Sequence, residues 1–397
     1  MLAAHCFRAQ GAERRGQEND AFLLRPAPCA LRTDYDRGAV DLKAIYLTAL
    51  ERCAPEVLVR AHVTRDMPRN VVAIGKCAGA LLDGVAAVHE IDDAFVAIPE
   101  GYPLPATRAQ VHVGGHPHMT RASFDAGRAV LGFVDAHEDI LFLVSGGGSA
   151  CVEVPLVDEE TVANANAKWI ASGMSIGEIN ARRRTLSAIK GGKLAARVRG
   201  RAVTLVYSDV STGALHDVAS GPTLPGSEAV LIADNTTLVR AAAQIIGDVI
   251  PTWEAVVIEE QIEGDVEDAA HVLAERAAQL QRGQILVAGG EPTVVVRGDG
   301  RGGRCSELAV RFAMSSACEA VFASSDGVDG NSGAAGIYLP GRLEAGGPAG
   351  WKPALRAALQ RSNSYPVAVQ LGEPIMIAPT GNNLRDLFLV AVNAPIR

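Results

Sequence analysis

Four apolar runs, the last interrupted by Thr204 alone, constrain this 397-residue chain more than any other feature: Val71–Ile74, Phe95–Ile98, Ile140–Val144 and Val203–Tyr207. A strand with one wet face alternates apolar and polar residues. An unbroken run belongs to a strand buried on both faces, as in a mostly parallel sheet with helices on either side. Each run stops at a small, polar or proline residue: Gly75-Lys76, Pro99, Ser145-Gly-Gly-Gly-Ser149 and Ser208-Asp209. The repeating theme is strand, glycine loop, helix, and the fold class is α/β.

A chain of this length exceeds what one hydrophobic core covers, so two domains are expected. Residues 1–35 are irregular and mixed in charge, and read as an extension. From Asp41, Leu42, Ile45, Leu50 and Cys53 recur at roughly helical spacing. An N-terminal domain is placed at 36–238 and a C-terminal α/β domain at 239–397. Strands are expected in the latter at Ala255–Ile258, Ile285–Val287, Thr293–Val296, Ala320–Ala323 and Val367–Val369. Gly341–Gly350 reads as a Gly/Pro/Ala loop.

Composition removes several function classes. The net charge is −8 and aromatics are 5%. That is a poor footprint for nucleic acid or an anionic membrane. Seven cysteines, an odd number without a C-x-x-C pair, fit a reducing cytoplasm better than a disulfide framework. There is no run of 18 apolar residues and no basic-then-apolar leader. His116-Pro117-His118 is the nearest approach to metal-ligand spacing, and it reads as a turn.

In open parallel sheets, ligands sit beyond the carboxyl ends of the strands. Four places there carry candidate chemistry. Gly75-Lys76 sets a positive charge where a helix begins, a position that usually prefers acids. Ser145, Gly146, Gly147, Gly148 and Ser149 free successive N–H groups to cradle phosphate oxygens. Their loop lacks the G-K-[ST] ending of a Walker A motif. Asp209 ends a strand, where it either ligates Mg²⁺, receives a hydroxyl proton or caps the next element. Fourth come Gly289-Gly290-Glu291, Arg301-Gly-Gly-Arg304 and Asp326-Gly-Val-Asp329-Gly330. Arg304 suits bidentate binding of a carboxylate or phosphate. Asp326 and Asp329 either hold metal or make turns. The stretch Gly298-Asp-Gly300-Arg-Gly-Gly303 also matches G-x-G-x-x-G, with Asp326 where a ribose-binding acid belongs, so an NAD(P)-dependent dehydrogenase stays open.

Taken in order, these motifs resemble a known family. The landmarks are Gly75-Lys76; Gly115-His116-Pro117; Val144–Ala150; Glu178-Ile-Asn180 with Arg183; Leu186–Gly192; Ser208-Asp209-Val210; and Ala219–Thr223. They continue with Gly289-Gly-Glu291; Gly302-Gly-Arg304 with Glu307; Ser325–Gly330; and Pro379-Thr-Gly381 with Asn383 and Asp386. From about Asp41 to its end the chain resembles the type II glycerate kinases (glycerate 2-kinases), whose C-terminal region is called MOFRL.

The resemblance implies a Rossmann-like N-terminal domain, a MOFRL-like C-terminal domain, and an active site in the cleft between them. It implies Mg-ATP and transfer of the γ-phosphoryl group to the C2 hydroxyl of D-glycerate. Lys76 matches the family's catalytic lysine and Arg304 its arginine on the opposite domain, with Asp209 a third catalytic candidate and the metal ligand. Ser145–Ser149, Lys190, Asp326 and Asn383 fall to the nucleotide, and Arg183 and Glu291 to the substrate. A homodimer stays open. Some relatives carry a hydroxypyruvate reductase label, which echoes the dehydrogenase pattern.

The motifs also depart from the family. Ser211-Thr-Gly-Ala214 stands where P-G-D-D is usual. Ser332-Gly333 replaces T-D, Cys305-Ser306 replaces N-Q, and Arg184-Thr185 replaces K-H. The acceptor is therefore either D-glycerate or another hydroxylated small molecule, and a relative without activity is the remaining variant.

Overall fold

A computed structural model describes residues 40–392 except 173, 175, 211–214 and 342–350. The expected extension at 1–35, the substituted Ser211–Ala214 run and nearly all of the Gly341–Gly350 loop lie outside the described residues.

In chain order the first half contains α1 (Leu42–Arg52), α2 (Pro55–Leu58), β1 (Asn70–Ile74), α3 (Ala78–Ala86), β2 (Asp93–Pro99) and β3 (Gln110–Gly114). It continues with α4 (Arg121–Ala136), β4 (Ile140–Ser145), α5 (Gly148–Cys151), α6 (Glu159–Ala171), α7 (Ile176–Leu186), β5 (Ala202–Tyr207), β6 (Glu228–Ala233) and α8 (Asn235–Val249). The second half contains β7 (Glu254–Val257), α9 (Val266–Ala277), β8 (Gln284–Gly290), α10 (Arg304–Ala313), β9 (Glu319–Ser324) and β10 (Gly336–Pro340). It closes with α11 (Trp351–Leu359), α12 (Ser364–Leu371), β11 (Glu373–Ile375) and β12 (Asp386–Ala391).

The first sheet runs β3-β2-β1-β4-β5-β6, with every neighbouring pair parallel. This is the strand order of the doubly wound nucleotide-binding fold. The second runs β11-β10-β9-β12-β8-β7, and only β7–β8 is parallel. The unbroken apolar runs are explained by the period-two alternation of a strand covered on both faces. In β1, Val71 and Ala73 face one core while Val72 and Ile74 face another. In β12, Leu387 and Leu389 face the first core, and Phe388 and Val390 face a third. Each fully buried Leu, Ile or Phe contributes roughly 1.5–3 kcal/mol relative to exposure.

The first core is shared by both sheets. Leu42, Ile45 and Tyr46 of α1 and Leu238, Ala242 and Ile245 of α8 join Leu141 and Leu205 to Ile285, Val321 and Leu389. Helix α8 begins with a capping box, the Asp234 carboxylate receiving the Thr237 N–H at 3.0 Å. Buried side chains stitch the halves together. The Tyr46 hydroxyl donates to the Ser324 carbonyl at 2.7 Å, and Asn235 Nδ2 donates to the Leu384 and Asp386 carbonyls at 2.7 and 3.0 Å.

Two expected strands are corrected. Thr293–Val296 is a loop in which Val295 and Val296 are 63% and 75% exposed; only Thr293 pairs, in a single bridge to Asp265. Val367–Val369 lies within α12, whose helical face buries Tyr365 and Ala368. Short β-branched runs do not by themselves distinguish strand from buried helix.

Candidate active site

The carboxyl ends of β1, β4 and β5 meet one end of the second sheet. Gly75 adopts φ +111°, and a Cβ there would fall 2.3 Å from the Ser145 carbonyl oxygen. Only glycine lets the loops after β1 and β4 approach this closely. The Lys76 N–H then donates to the Gly146 carbonyl at 2.8 Å. Ser145 is fully buried. Its hydroxyl receives the Cys77 N–H at 3.0 Å and donates to the Ile74 carbonyl at 3.3 Å, so it braces the loop and is not open to a ligand. Gly146 faces Asp209 of its own half and Asn383 of the opposite half, where a Cβ would fall 1.6 Å from Asp209 Oδ2 and 2.3 Å from Asn383 Nδ2. Gly147 (φ +84°) packs beside the Lys76 stem and His116. Ser149 Oγ lies 2.7 Å from Ser220 Oγ.

Lys76 projects across the cleft to Asp326, with Nζ 2.9 Å from Oδ2, and its ammonium lies 5.4 Å from the centre of the Tyr102 ring. Burial alone would lower the Lys76 pKa. The Asp326 carboxylate, with Asp209 further off, outweighs it and holds Lys76 above the ordinary lysine range. Asp326 shows the converse balance. Burial would raise it, yet Lys76 and hydrogen bonds from Ser324 and the Val328 N–H hold it below the usual carboxylate range.

Arg304 is the first residue of α10. Its Nε and Nη2 grip Asp386 at 2.6 and 2.8 Å, and Nη1 reaches Glu291 at 3.1 Å. The fork–fork geometry matches a guanidinium bound to a carboxylate. Asp386 is fully buried, and burial pushes it up to about 6 even though Arg304 opposes the shift. A polar chain then closes across the cleft. Arg304 Nη2 donates to Ser324 Oγ at 3.5 Å, and Ser324 Oγ donates to Asp326 at 2.9 Å. Glu291 also lies 3.5 Å from Arg385 Nε, which donates to the Asp209 carbonyl at 2.8 Å. Asn383 Nδ2 donates to Asp209 Oδ2 at 2.9 Å. Burial raises the Asp209 pKa, Lys76 opposes that shift, and Glu291 adds to it.

The structure thus gathers Lys76, Ser145–Ser149, Asp209, Glu291, Arg304, Asp326 and Asn383 around one cleft. Lys190 does not belong there. It is 1% exposed and ion-paired with Glu153, whose other oxygen accepts from Ser187. Burial lowers its pKa. A fully enclosed lysine beneath the loop cannot reach a nucleotide. Lys190→Met is accordingly expected to cost about 3–5 kcal/mol, since it leaves Glu153 buried without its cation. Urea unfolding measures that loss, and the KM for nucleotide of the folded fraction stays at the wild-type value.

Asp329 is also structural. Its carboxylate accepts the Cys305 and Ser306 N–H groups at 2.9 Å, satisfying the start of α10. Gly298 and Gly300 of the apparent dinucleotide fingerprint lie in a loop against the backbone of Arg361–Asn363, with no strand entering them. The strand–turn–helix context that motif needs is absent, and Asp326 is the partner of Lys76. Sequence reasoning missed Tyr102, Ser324 and Arg385. The one signal for Arg385 is its place between Asn383 and Asp386; it sits at φ +63°, unusual for a residue other than glycine. Among the described residues no cluster of three or more His, Cys, Asp or Glu is arranged to hold a metal, and no helix is long and apolar enough to cross a membrane.

These features define an α/β protein whose parallel strand ends face a cleft closed by a second, mixed sheet. Two family models cover it: one described as a domain of unknown function (DUF4147) matches residues 41–247, and the MOFRL family matches 284–386. The chain belongs to the family that joins these two domains. A D-glycerate 2-kinase of Thermotoga maritima is 29% identical, over 87% of this chain and 95% of that protein. A protein of Agrobacterium vitis with a provisional hydroxypyruvate reductase name is 28% identical, over 88% and 94%. The crystal structure of a glycerate kinase from Thermotoga maritima superposes with a TM-score of 0.76 at 27% identity, covering 88% of this chain and 98% of that one.

Proposed function

We propose that the protein is an ATP-dependent kinase of a small hydroxy acid, with D-glycerate the first candidate acceptor and 2-phosphoglycerate the product. The observation that carries this reading is Lys76. It stands beside the glycine loop at a strand end, kept fully charged by an aspartate of the opposite half. Relatives named as glycerate kinases over nearly the whole chain support it.

Phosphoryl transfer needs positioning and charge stabilisation more than covalent help from the protein. The acceptor hydroxyl oxygen bonds to the γ-phosphorus, the bond to the β,γ-bridging oxygen breaks, ADP leaves, and the hydroxyl proton passes to solvent. Lys76 neutralises the charge of the transferring group. The Gly146–Ser149 amides hold phosphate oxygens, and Gly146 can approach them because it carries no side chain. Arg304, anchored by Asp386 and paired through Nη1 with Glu291, sets a positive charge at the edge of the cleft.

Mg²⁺ typically takes one or two protein carboxylates and leaves its other positions to water and phosphates. Asp209 fits that demand, since among the described residues its Oδ1 accepts no hydrogen bond; Glu291 is tied to Arg304 and Arg385. When bound, the ion would offset phosphate charge.

The G-x-G-x-x-G stretch lacks its structural context, so a nicotinamide-dependent reductase is the weaker reading. A coupled ADP-release assay with Mg-ATP and a panel of hydroxy acids, sugar acids and alcohols tests the proposal. ADP release on D-glycerate is the expected result. Release only on another acceptor would reassign the substrate, and silence across the panel would overturn the kinase reading.

A further inference from the structure

Arg183 is 7% exposed, yet no carboxylate among the described residues lies within ion-pairing distance of it. Among the described residues its hydrogen bonds run only to two carboxamide oxygens: Nε to Asn166 at 2.9 Å and Nη1 to Asn180 at 3.2 Å. Buried charges are ordinarily paired, because an unpaired one bears a large desolvation cost. Burial lowers the Arg183 pKa to about 10, with Glu153 opposing, so the group still carries its charge at neutral pH. Glu153 is no counter-ion, being occupied by Lys190 and Ser187. Two buried cations, Arg183 and Lys190, face one buried anion, Glu153, and one positive charge is left over.

Among the described residues, Nη2 of Arg183 has no hydrogen-bond partner. It is not sealed in either, since the one enclosed side-chain polar atom without a partner among the described residues is His89 Nε2. A guanidinium has five N–H donors, of which Nε and Nη1 have each given one. The remaining donors point to a missing acceptor.

The surroundings tie this arginine to the cleft. Asn180 Oδ1 also accepts from Ser220 Oγ at 2.8 Å, and Ser220 Oγ lies 2.7 Å from Ser149 Oγ of the glycine loop. Asn166 Nδ2 donates to the Pro117 carbonyl at 3.4 Å, in the turn that carries His116. His116, packed beside Gly147, feels both Lys76 and Arg183. Burial of its ring and then these two charges lower it to about 4, while the residue keeps an exposed face. It faces the site as a neutral imidazole.

We propose that Arg183 holds the carboxylate of the acceptor acid, so that a small monoanionic hydroxy acid is seated between Arg183, His116 and the Ser149–Ser220 hydroxyl pair. A planar guanidinium matches a carboxylate end-on, and one unbalanced positive charge suits a monoanion rather than a polyphosphate. The phosphates go to the Lys76 side of the loop. The acid's role as phosphoryl acceptor rests on the kinase reading; the anion pocket does not.

The test compares wild type, Arg183→Gln and Arg183→Lys by two readouts. The first is steady-state kinetics with D-glycerate and with glycerol, which lacks the carboxylate. The second is calorimetric binding of D-glycerate and of D-lactate without nucleotide. Arg183→Gln is expected to raise the KM for D-glycerate by about 100-fold, the scale of losing one preorganised donor. The preference for D-glycerate over glycerol should fall by a similar factor, the KM for Mg-ATP should not move, and Arg183→Lys should recover part of the loss. A merely structural arginine would not change that preference selectively. If D-glycerate binding is the same in wild type and Arg183→Gln while ADP release persists, the pocket is overturned and the kinase reading stands. If no ADP is released but D-lactate binds wild type and not Arg183→Gln, the pocket stands and the kinase reading falls. A rise in the KM for Mg-ATP alone would place phosphate at Arg183 and overturn the proposal. Should Arg183→Gln fail to fold, Arg183→Lys decides by the same two readouts.

Discussion

Replacing Lys76 by alanine is expected to lower kcat/KM for the acceptor by about 10²–10³, the effect of removing one preorganised positive group from a site where negative charge develops. The loss should fall mainly on kcat, because Lys76 acts on the transferring phosphoryl group and the acceptor is held elsewhere. The fold should survive. Asp326 keeps the Ser324 hydroxyl at 2.9 Å and the Val328 N–H at 3.0 Å after its lysine has gone. Its pKa should move upwards, since Lys76 is the largest influence holding it down. Lys76→Arg would not restore the rate, since a guanidinium is a broad fork and an ammonium a compact point charge. Steady-state kinetics beside circular dichroism check this. A Lys76→Ala protein that is folded and retains most of its kcat would contradict it.

The second large effect concerns stability. Arg304→Met leaves Asp386 buried with no cation and is expected to cost about 3–5 kcal/mol at pH 7.5. The pH dependence has a definite sign. Asp386 sits at about 6 in the fold, above its unfolded value of about 3.9, because burial disfavours its ionised form. For such a group the stabilising contribution is complete below the unfolded value and lost as pH rises through the folded one. Removing Arg304 takes away the charge that opposes this shift, so the folded value climbs and the penalty at neutral pH grows. Urea unfolding of Arg304→Met should therefore show a deficit that shrinks between pH 7.5 and pH 5.5. The double variant Arg304→Met, Asp386→Asn should be more stable than the single one. A deficit equal at both pH values would mean that Asp386 is not its source.

Much of the fold was legible because buried parallel strands leave an unmistakable mark. Val71–Ile74 and Ile140–Val144 had to be covered on both faces, and they lie side by side at the centre of the first sheet. The second sheet was harder to read. Gly336–Pro340 and Glu373–Ile375 are short and close to its edge, and neither has a long apolar run. Val367–Val369 shows the opposite failure, a β-branched run held in a helix by the packing of Tyr365 and Ala368.

The site divides in the same way. Glycines at strand ends announced Gly75 and Gly146, since backbone approach is a local demand. Long-range pairing is not local. Nothing near Lys76 in sequence names Asp326, 250 residues away, and nothing near Arg304 names Asp386. Lys190 misled because a lysine beside glycines looks the same whether it opens into a cleft or closes over a buried glutamate.

The most direct test of the account is phosphorus NMR of Mg-ATP and D-glycerate incubated with the wild-type protein. The account predicts a new phosphomonoester resonance, assigned to the C2 oxygen, growing in step with ADP and missing when Lys76→Ala is used at the same concentration. ATP left intact beside D-glycerate, or a phosphomonoester formed equally well by Lys76→Ala, would contradict it.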